Sequence, residues 1–235
     1  YAGVLGPASA AFLCGAAGAP APPRLLVRRL VRWKVHFSRY AVAILLPFAV
    51  RGLAIAAVTT LQSESGTLLL RPAESIGRIT ILMVLLVPLE EIGWRGYALP
   101  IVQRRHSPLA SSVILGGIWG LWHLPLVWAC VGYQQSSDPW SYMVWFLATI
   151  IPISCLVTWL FNHTGESVLL TSLFHIAINA ADFALILPSS TGNSVLFGTT
   201  IISTLLVGLL WRIHSVTVPS SHPTRGGTRS PRVGD

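Results

Sequence analysis

Residues 79–102 read ITILMVLLVPLEEIGWRGYALPIV, and this stretch decides the fold class. A bilayer core takes roughly 20 apolar residues per helix. These 24 residues are long enough to span, yet they carry Glu90, Glu91 and Arg95 at their centre. Ionisable groups are rare inside transmembrane helices and mark function when they occur. The surrounding chain repeats the apolar pattern. Windows at 41–61, 109–131, 141–161, 167–187 and 195–213 also qualify, and 1–21 is a weaker seventh, dominated by Ala, Gly and Pro. The expected fold is therefore all-α, a polytopic transmembrane bundle of six or seven helices around a buried polar cavity.

Composition agrees. Of 235 residues, 53% are hydrophobic and only 10% charged. Ordinary soluble domains carry about a quarter charged residues, so a water-solvated surface is excluded. The net charge of +8 comes from 16 Lys and Arg against 8 Asp and Glu. The basic residues sit in short segments between apolar runs, which reads as membrane-flanking charge and predicts no nucleic-acid partner. Arg24 to Arg39, then Arg104 and Arg105, then Arg212 to Arg232 fall on one side when six helices alternate. Arg71 and Arg78, near Glu64 and Glu74, fall on the other. By the positive-inside rule the basic loops and the tail are cytoplasmic, and the short loops suggest a prokaryotic plasma membrane.

Three regions are expected. Residues 1–40 hold the weak first segment and a basic amphipathic helix over 24–39 on the inner leaflet. Residues 41–213 form the transmembrane core, and 214–235 a disordered polar tail. Residues 1–21 lack a basic n-region and do not read as an intact signal peptide. Cys14, Cys130 and Cys155 are too scattered for a disulfide framework and read as small buried apolar residues.

Helical spacing groups the polar residues. Glu91 and Arg95 are four apart, with Glu first, the favourable order for an ion pair. Glu90 is turned about 100° away and can point elsewhere. Trp119 and His123 share a face, as do His175 and Asn179. Three helices can thus direct polar groups into one cavity. Glu90 and His123 can hold and deprotonate a water. His175 and Asn179 can donate hydrogen bonds to a developing oxyanion. Glu91 and Arg95 would support them. Arg51 and Asp182 are also ionisable in apolar helices. Arg51 receives no role, and Asp182 could cap, pair with Arg51 or line the cavity.

The motifs EExxxR (Glu90–Arg95), WxxxH (Trp119–His123) and HxxxN (His175–Asn179) resemble, in order and spacing, those of the CAAX-protease and bacteriocin-processing family, also called CPBP or Abi. The usual second motif is FxxxH, so Trp119 is a conservative aromatic departure. The resemblance spans about residues 80–182 and implies an intramembrane endopeptidase acting on lipidated or membrane-associated peptides or proteins. It assigns Glu90 and His123 to water activation, His175 and Asn179 to the oxyanion, and Glu91 and Arg95 to support. The family is often described as metalloproteases. No HExxH is present, and no cofactor is expected, with Zn2+ on Glu90, His123 and His175 as the alternative. A transporter or proton relay, and a non-catalytic membrane scaffold or immunity protein, remain the rival functions.

Overall fold

A computed structural model describes residues 3, 5–18, 21–62, 69–126, 138–186 and 191–217. The helices are α1 (Leu5–Ala16), α2 (Pro23–Leu30), α3 (Phe37–Gln62), α4 (Ala73–Glu91), a π-helical turn (Ile92–Ala98), α5 (Leu99–Val102), α6 (Pro108–Leu126), α7 (Pro139–His163), α8 (Val168–Ala184) and α9 (Gly192–Thr217). The remaining ladder is a two-residue antiparallel pairing, Leu69 with Ile186 and Leu70 with Leu185. The chain is an all-helical bundle. All six strong apolar windows carry a helix, and the polar tail from 218 onward lies outside the described residues.

Among the described residues, three helices are by themselves long and apolar enough to cross a membrane: Phe37–Leu61, Trp140–His163 and Gly192–Ile213. They establish a membrane protein. The other windows fall short for local reasons. α4 carries four charges, α8 has 17 residues, and the 109–131 window runs past Leu126 into residues outside the described set. α1 is 12 residues long, about 18 Å at the usual rise, too short for a bilayer core of roughly 30 Å. It packs instead on α4 and the π turn, with Ala8 and Ala11 buried, while Gly15 lies against Ala21 and Pro23. Cys14 is off that stripe and exposed, against the expectation of burial, while Cys155 is buried. Cys130 lies outside the described residues.

Packing places α8 at the centre. It contacts α3, α4 and α7, while α9 lies between α3 and α7, and α6 lies against α7. A β-carbon on Gly116 would meet Ser154, and one on Gly120 would meet Ile150 and Leu147. This small-xxx-small spacing lets α6 approach α7 closely, the usual route to tight packing where lipid supplies no hydrophobic drive. Capping fixes the entries. Ser107 Oγ accepts from the Ala110 N–H, with Pro108 in the first turn of α6. Asp138 accepts from the Trp140 and Ser141 N–H groups ahead of α7. Ser167 accepts from the Leu170 N–H and opens α8.

The helix ends sort by charge. The guanidinium of Arg29 donates to the Gly96 carbonyl at 2.5 Å and pairs with Glu166 at 2.6 Å. Ser167 Oγ donates to the Arg32 carbonyl at 2.7 Å. Segments 24–39, 96–107 and 163–167 therefore share one end of the bundle. The short β pairing, with the Arg71 N–H donating to the Ala184 carbonyl, marks the opposite end. At that end Arg78 pairs with Glu74 at 3.5 Å, and Glu64 lies outside the described residues. One expectation fails here. Residues 24–39 are not a single amphipathic helix: α2 ends at Leu30, and the chain then runs as a strap to Phe37. The tertiary bonds from Arg29 and the Arg32 carbonyl outweigh the helical pattern of the sequence.

Candidate functional site

α4 ends on Glu90 and Glu91, both buried, two residues after Pro88. The next seven residues widen into a π turn, in which the Leu99 N–H bonds the Trp94 carbonyl five residues back. Single π turns inside helices are uncommon and recur at functional sites. Here the wider turn carries Arg95, and Gly93 allows the chain of α1 to lie against it, because a β-carbon would collide with Pro7.

The expected ion pair forms. Arg95 Nη1 donates to Glu91 Oε1 at 2.9 Å, and both side chains are fully buried. The same Oε1 lies 3.0 Å from His175 Nδ1, so α8 is tied to the pair. Arg95 also lies over the Trp119 ring, 4.4 Å from its centroid, and reaches Ser154 Oγ at 3.5 Å. Ser154 in turn donates to the Ser112 carbonyl at 3.0 Å. One guanidinium thus links α4, α6, α7 and α8. A buried charge holds only when paired and bonded in this way, and the arrangement supplies both.

Trp119 is the hub between the histidines. Its indole meets His123 edge-on at 5.4 Å and His175 at 5.1 Å. His123 Nδ1 is 2.8 Å from the Trp119 carbonyl. A carbonyl only accepts, so Nδ1 carries the proton. In the neutral ring Nε2 is then an acceptor, free to take a proton from a ligand. Trp122 at 4.8 Å and Phe146 at 5.8 Å close the apolar wall around the ring.

Glu90 differs from its neighbour in joining no ion pair among the described residues, although Glu91 Oε2 is likewise without a hydrogen-bond partner. Glu90 is 7% exposed, and its Oε2 has no hydrogen-bond partner among the described residues. The carboxyl lies within electrostatic reach of His175, Glu91 and Arg95, and beside the Trp119 indole, whose N–H is likewise unpartnered. His123 and His175 are within electrostatic reach of one another. Glu90, His123 and His175 are therefore brought around Trp119. Asn179 is not drawn into the same hydrogen-bond network: its Nδ2 donates to Met83 Sδ at 3.3 Å, one turn along α8 from His175. Thioether sulfur is a weak acceptor, so this contact is easily exchanged. Sequence spacing missed Ser154 and Met83, which are ordinary residues of apolar helices, and missed the π turn altogether.

The proposed zinc ligands are Glu90, His123 and His175. Among the described residues no three His, Cys, Asp or Glu side chains gather into a set that could hold a metal ion. The Nδ1 atoms of both histidines are already engaged, by a carbonyl and by Glu91.

A membrane-embedded cluster of two carboxylates, an arginine and two imidazoles defines a class of intramembrane protein with ionisable groups gathered across three helices. Comparison with known proteins shows what this segment is similar to. Residues 72–181 match the family model of the type II CAAX prenyl endopeptidase Rce1-like proteins. The chain is also 33% identical over 105 residues to CAAX prenyl protease 2 of Methanococcus maripaludis, a match covering 43% of this chain and 38% of that relative. The chain thus spans well under half the length of this curated relative. The segment that is similar to these proteins contains Glu90, Glu91, Arg95, Trp119, His123, His175 and Asn179. Arg51 and Asp182 lie outside it.

Proposed function

We propose that this chain is an intramembrane endopeptidase that hydrolyses a peptide bond of a lipidated or membrane-associated substrate. The carrying observation is the buried Glu90 carboxylate with an open oxygen, set beside two imidazoles and an ion pair that leaves it alone. A desolvated acceptor without a partner costs free energy, and a bound water relieves it. Glu90 holds that water and removes a proton as its oxygen attacks the substrate carbonyl carbon. His123 presents Nε2 as a second acceptor. The carbonyl electrons move to oxygen, where His175 Nε2–H and Asn179 Nδ2–H donate. His175 gives its Nδ1–H to Glu91, so donation from Nε2 as well requires the doubly protonated ring. Collapse of the tetrahedral species breaks the C–N bond, and the proton held by Glu90 passes to the leaving amine.

Glu91 and Arg95 fix the helix junction and orient His175, in the manner of residues that position catalytic groups. The reaction so written uses no metal. The basic end of the bundle faces the cytoplasm by the positive-inside rule, in the plasma membrane of a prokaryote. The substrate class rests on the likeness of residues 72–181 to the CAAX prenyl endopeptidases. The test is cleavage of prenylated CaaX peptides in proteoliposomes by wild type, Glu90→Ala and His123→Ala, with and without a strong zinc chelator. Loss of cleavage in both variants and persistence under chelator supports the reading. Loss under chelator with rescue by zinc assigns Glu90 and the histidines to a metal instead. Equal cleavage by all three proteins contradicts the site.

A further inference from the structure

Arg29 of α2 is 6% exposed and lies outside residues 72–181. The sequence holds no acidic residue before Glu64, so its partners must come from far along the chain. Its three nitrogens serve two distant elements. Nη1 donates to the Gly96 carbonyl of the π turn at 2.5 Å, while Nε and Nη2 donate to Glu166 Oε2 at 3.0 and 2.6 Å. The guanidinium lies over the Phe161 ring, 5.9 Å from its centroid. The chain leaves an opening for each bond. In an α-helix the Gly96 carbonyl would accept from the residue four further on, but that residue is Pro100, which has no N–H. Arg29 supplies a donor to that carbonyl. Glu166 takes a left-handed φ of 70°, a conformation that disfavours a residue with a β-carbon. Its carboxylate is the one that Arg29 holds.

Both partners of Arg29 sit close in sequence to the proposed catalytic groups. Gly96 follows Glu90 by six residues through the π turn, and His175 follows Glu166 by nine, most of them in α8. At the usual helical rise these separations are about 9 and 13 Å. The two elements touch beside the brace: a β-carbon on Gly96 would lie 3.2 Å from Val168, the first residue of α8. Arg32 adds a second tie. Its carbonyl accepts from Ser167 Oγ, and its guanidinium lies against Gly165, where a β-carbon would be 2.5 Å from Nη2. Glu90 and His175 thus ride on two helical elements fastened to each other by one guanidinium. A helix carries a shift at its end along its length, and a misplacement of about 1 Å caused far from the chemistry costs a reaction about 100-fold.

We propose that Arg29 is a positioning residue for the hydrolysis, clamping the π turn to the head of α8 so that Glu90 and His175 meet the substrate in register. This rests on the peptidase reading of the Glu90 cluster. Arg29 touches neither the substrate nor the reacting atoms. It acts through Gly96 on the element that carries Glu90, and through Glu166 on the helix that carries His175. Lysine is no equivalent, because an ammonium lacks the planar fork that holds acceptors in two fixed directions. The buried charge also needs a counter-ion of its own, and Glu166 provides it.

The test is steady-state cleavage of a prenylated CaaX peptide by the full chain in proteoliposomes, with the unfolding temperature measured on the same vesicles and rates taken well below it. Arg29→Ala and Arg29→Lys are expected to lose about 100-fold and about 10-fold in kcat, with KM within about 2-fold of wild type. Glu166→Gly separates positioning from stability. Glycine is at ease at a φ of 70°, which offsets the lost ion pair. The unfolding temperature should therefore stay close to wild type while kcat falls about 10-fold. Methylguanidinium at millimolar concentration should restore part of kcat in Arg29→Ala and do nothing for Glu166→Gly, which keeps its arginine. If Arg29→Ala does not fold, Arg29→Lys and Glu166→Gly decide. A brace that only stabilises would lower the unfolding temperature and leave kcat and KM of the folded molecules alone, and that result would overturn the proposal. So would a raised KM with kcat unchanged, which would move Arg29 to substrate binding. Wild-type cleavage that persists undiminished in every variant counts against the positioning role alone. No cleavage by the wild type would overturn the peptidase reading, and the proposal with it.

Discussion

The bundle contains two buried ionic clusters, and they are built on different plans. Around Glu91, the groups of Arg95, His175, Trp119 and Ser154 tie four helices into one enclosed network. Around Arg51 there is one ion pair on the wall of a cavity, with Asp182 keeping a side chain 45% exposed. The first cluster is paired through Glu91 Oε1, while among the described residues Glu90 joins no ion pair and Glu90 Oε2, Glu91 Oε2 and Arg95 Nε have no hydrogen-bond partner. The second leaves donors uncommitted. Buried charge that is fully satisfied holds a fold together, and buried charge left partly unsatisfied is available to a ligand. The comparison therefore separates residues that support from residues that act, even where they adjoin in sequence.

The largest expected effect comes from breaking the enclosed network. Glu91→Ala strips Arg95 of its carboxylate while leaving the guanidinium buried, a loss of about 3–5 kcal/mol for such pairs. Thermal unfolding in detergent should show a sharp fall, and a variant as stable as wild type would mean that the cluster is not structural. Next is Glu90→Gln, which keeps size and hydrogen bonding but removes the base. Cleavage is expected to fall about 10²–10⁴-fold, the usual contribution of general base catalysis, with unfolding unchanged. Gly93→Val tests the seat of α1 on the π turn. Overpacking against Pro7 should cost about 1–3 kcal/mol, read as lowered unfolding temperature, and an unchanged value would show that α1 moves aside freely. The smallest effect is at the second cluster. Arg51→Gln breaks a pair whose aspartate is 45% exposed, so the unfolding temperature should fall by less than in Glu91→Ala, and an equal fall would make the two clusters equally structural.

The same contrast explains what the sequence disclosed. The helical class, the pairing of Glu91 with Arg95 and the grouping of His123 and His175 were legible, because ionisable residues at helical spacing stand out against an apolar background. The Arg51–Asp182 pair was legible only as one of several options, since its partners lie 131 positions apart and no local spacing links them. Three features were not legible. The π turn over Ile92–Ala98 depends on how α1 and α2 dock against it, not on its own composition. The strap after Leu30 is drawn out of helix by Arg29 bonding Gly96 and Glu166, partners far along the chain. Asn179 shares the helical face of His175 as its spacing implies, yet its side chain rests on Met83, because face-sharing fixes direction and not the partner met there.

The central claim is that two adjacent glutamates do different work, Glu91 holding the junction and Glu90 the water. The direct measurement is a side-by-side determination of unfolding temperature and peptide cleavage for Glu90→Gln and Glu91→Gln in the same vesicles. The account predicts that Glu90→Gln unfolds like wild type and does not cleave, whereas Glu91→Gln unfolds at a clearly lower temperature. A stable, inactive Glu91→Gln beside an active Glu90→Gln would contradict it and transfer the catalytic role to the residue paired with Arg95.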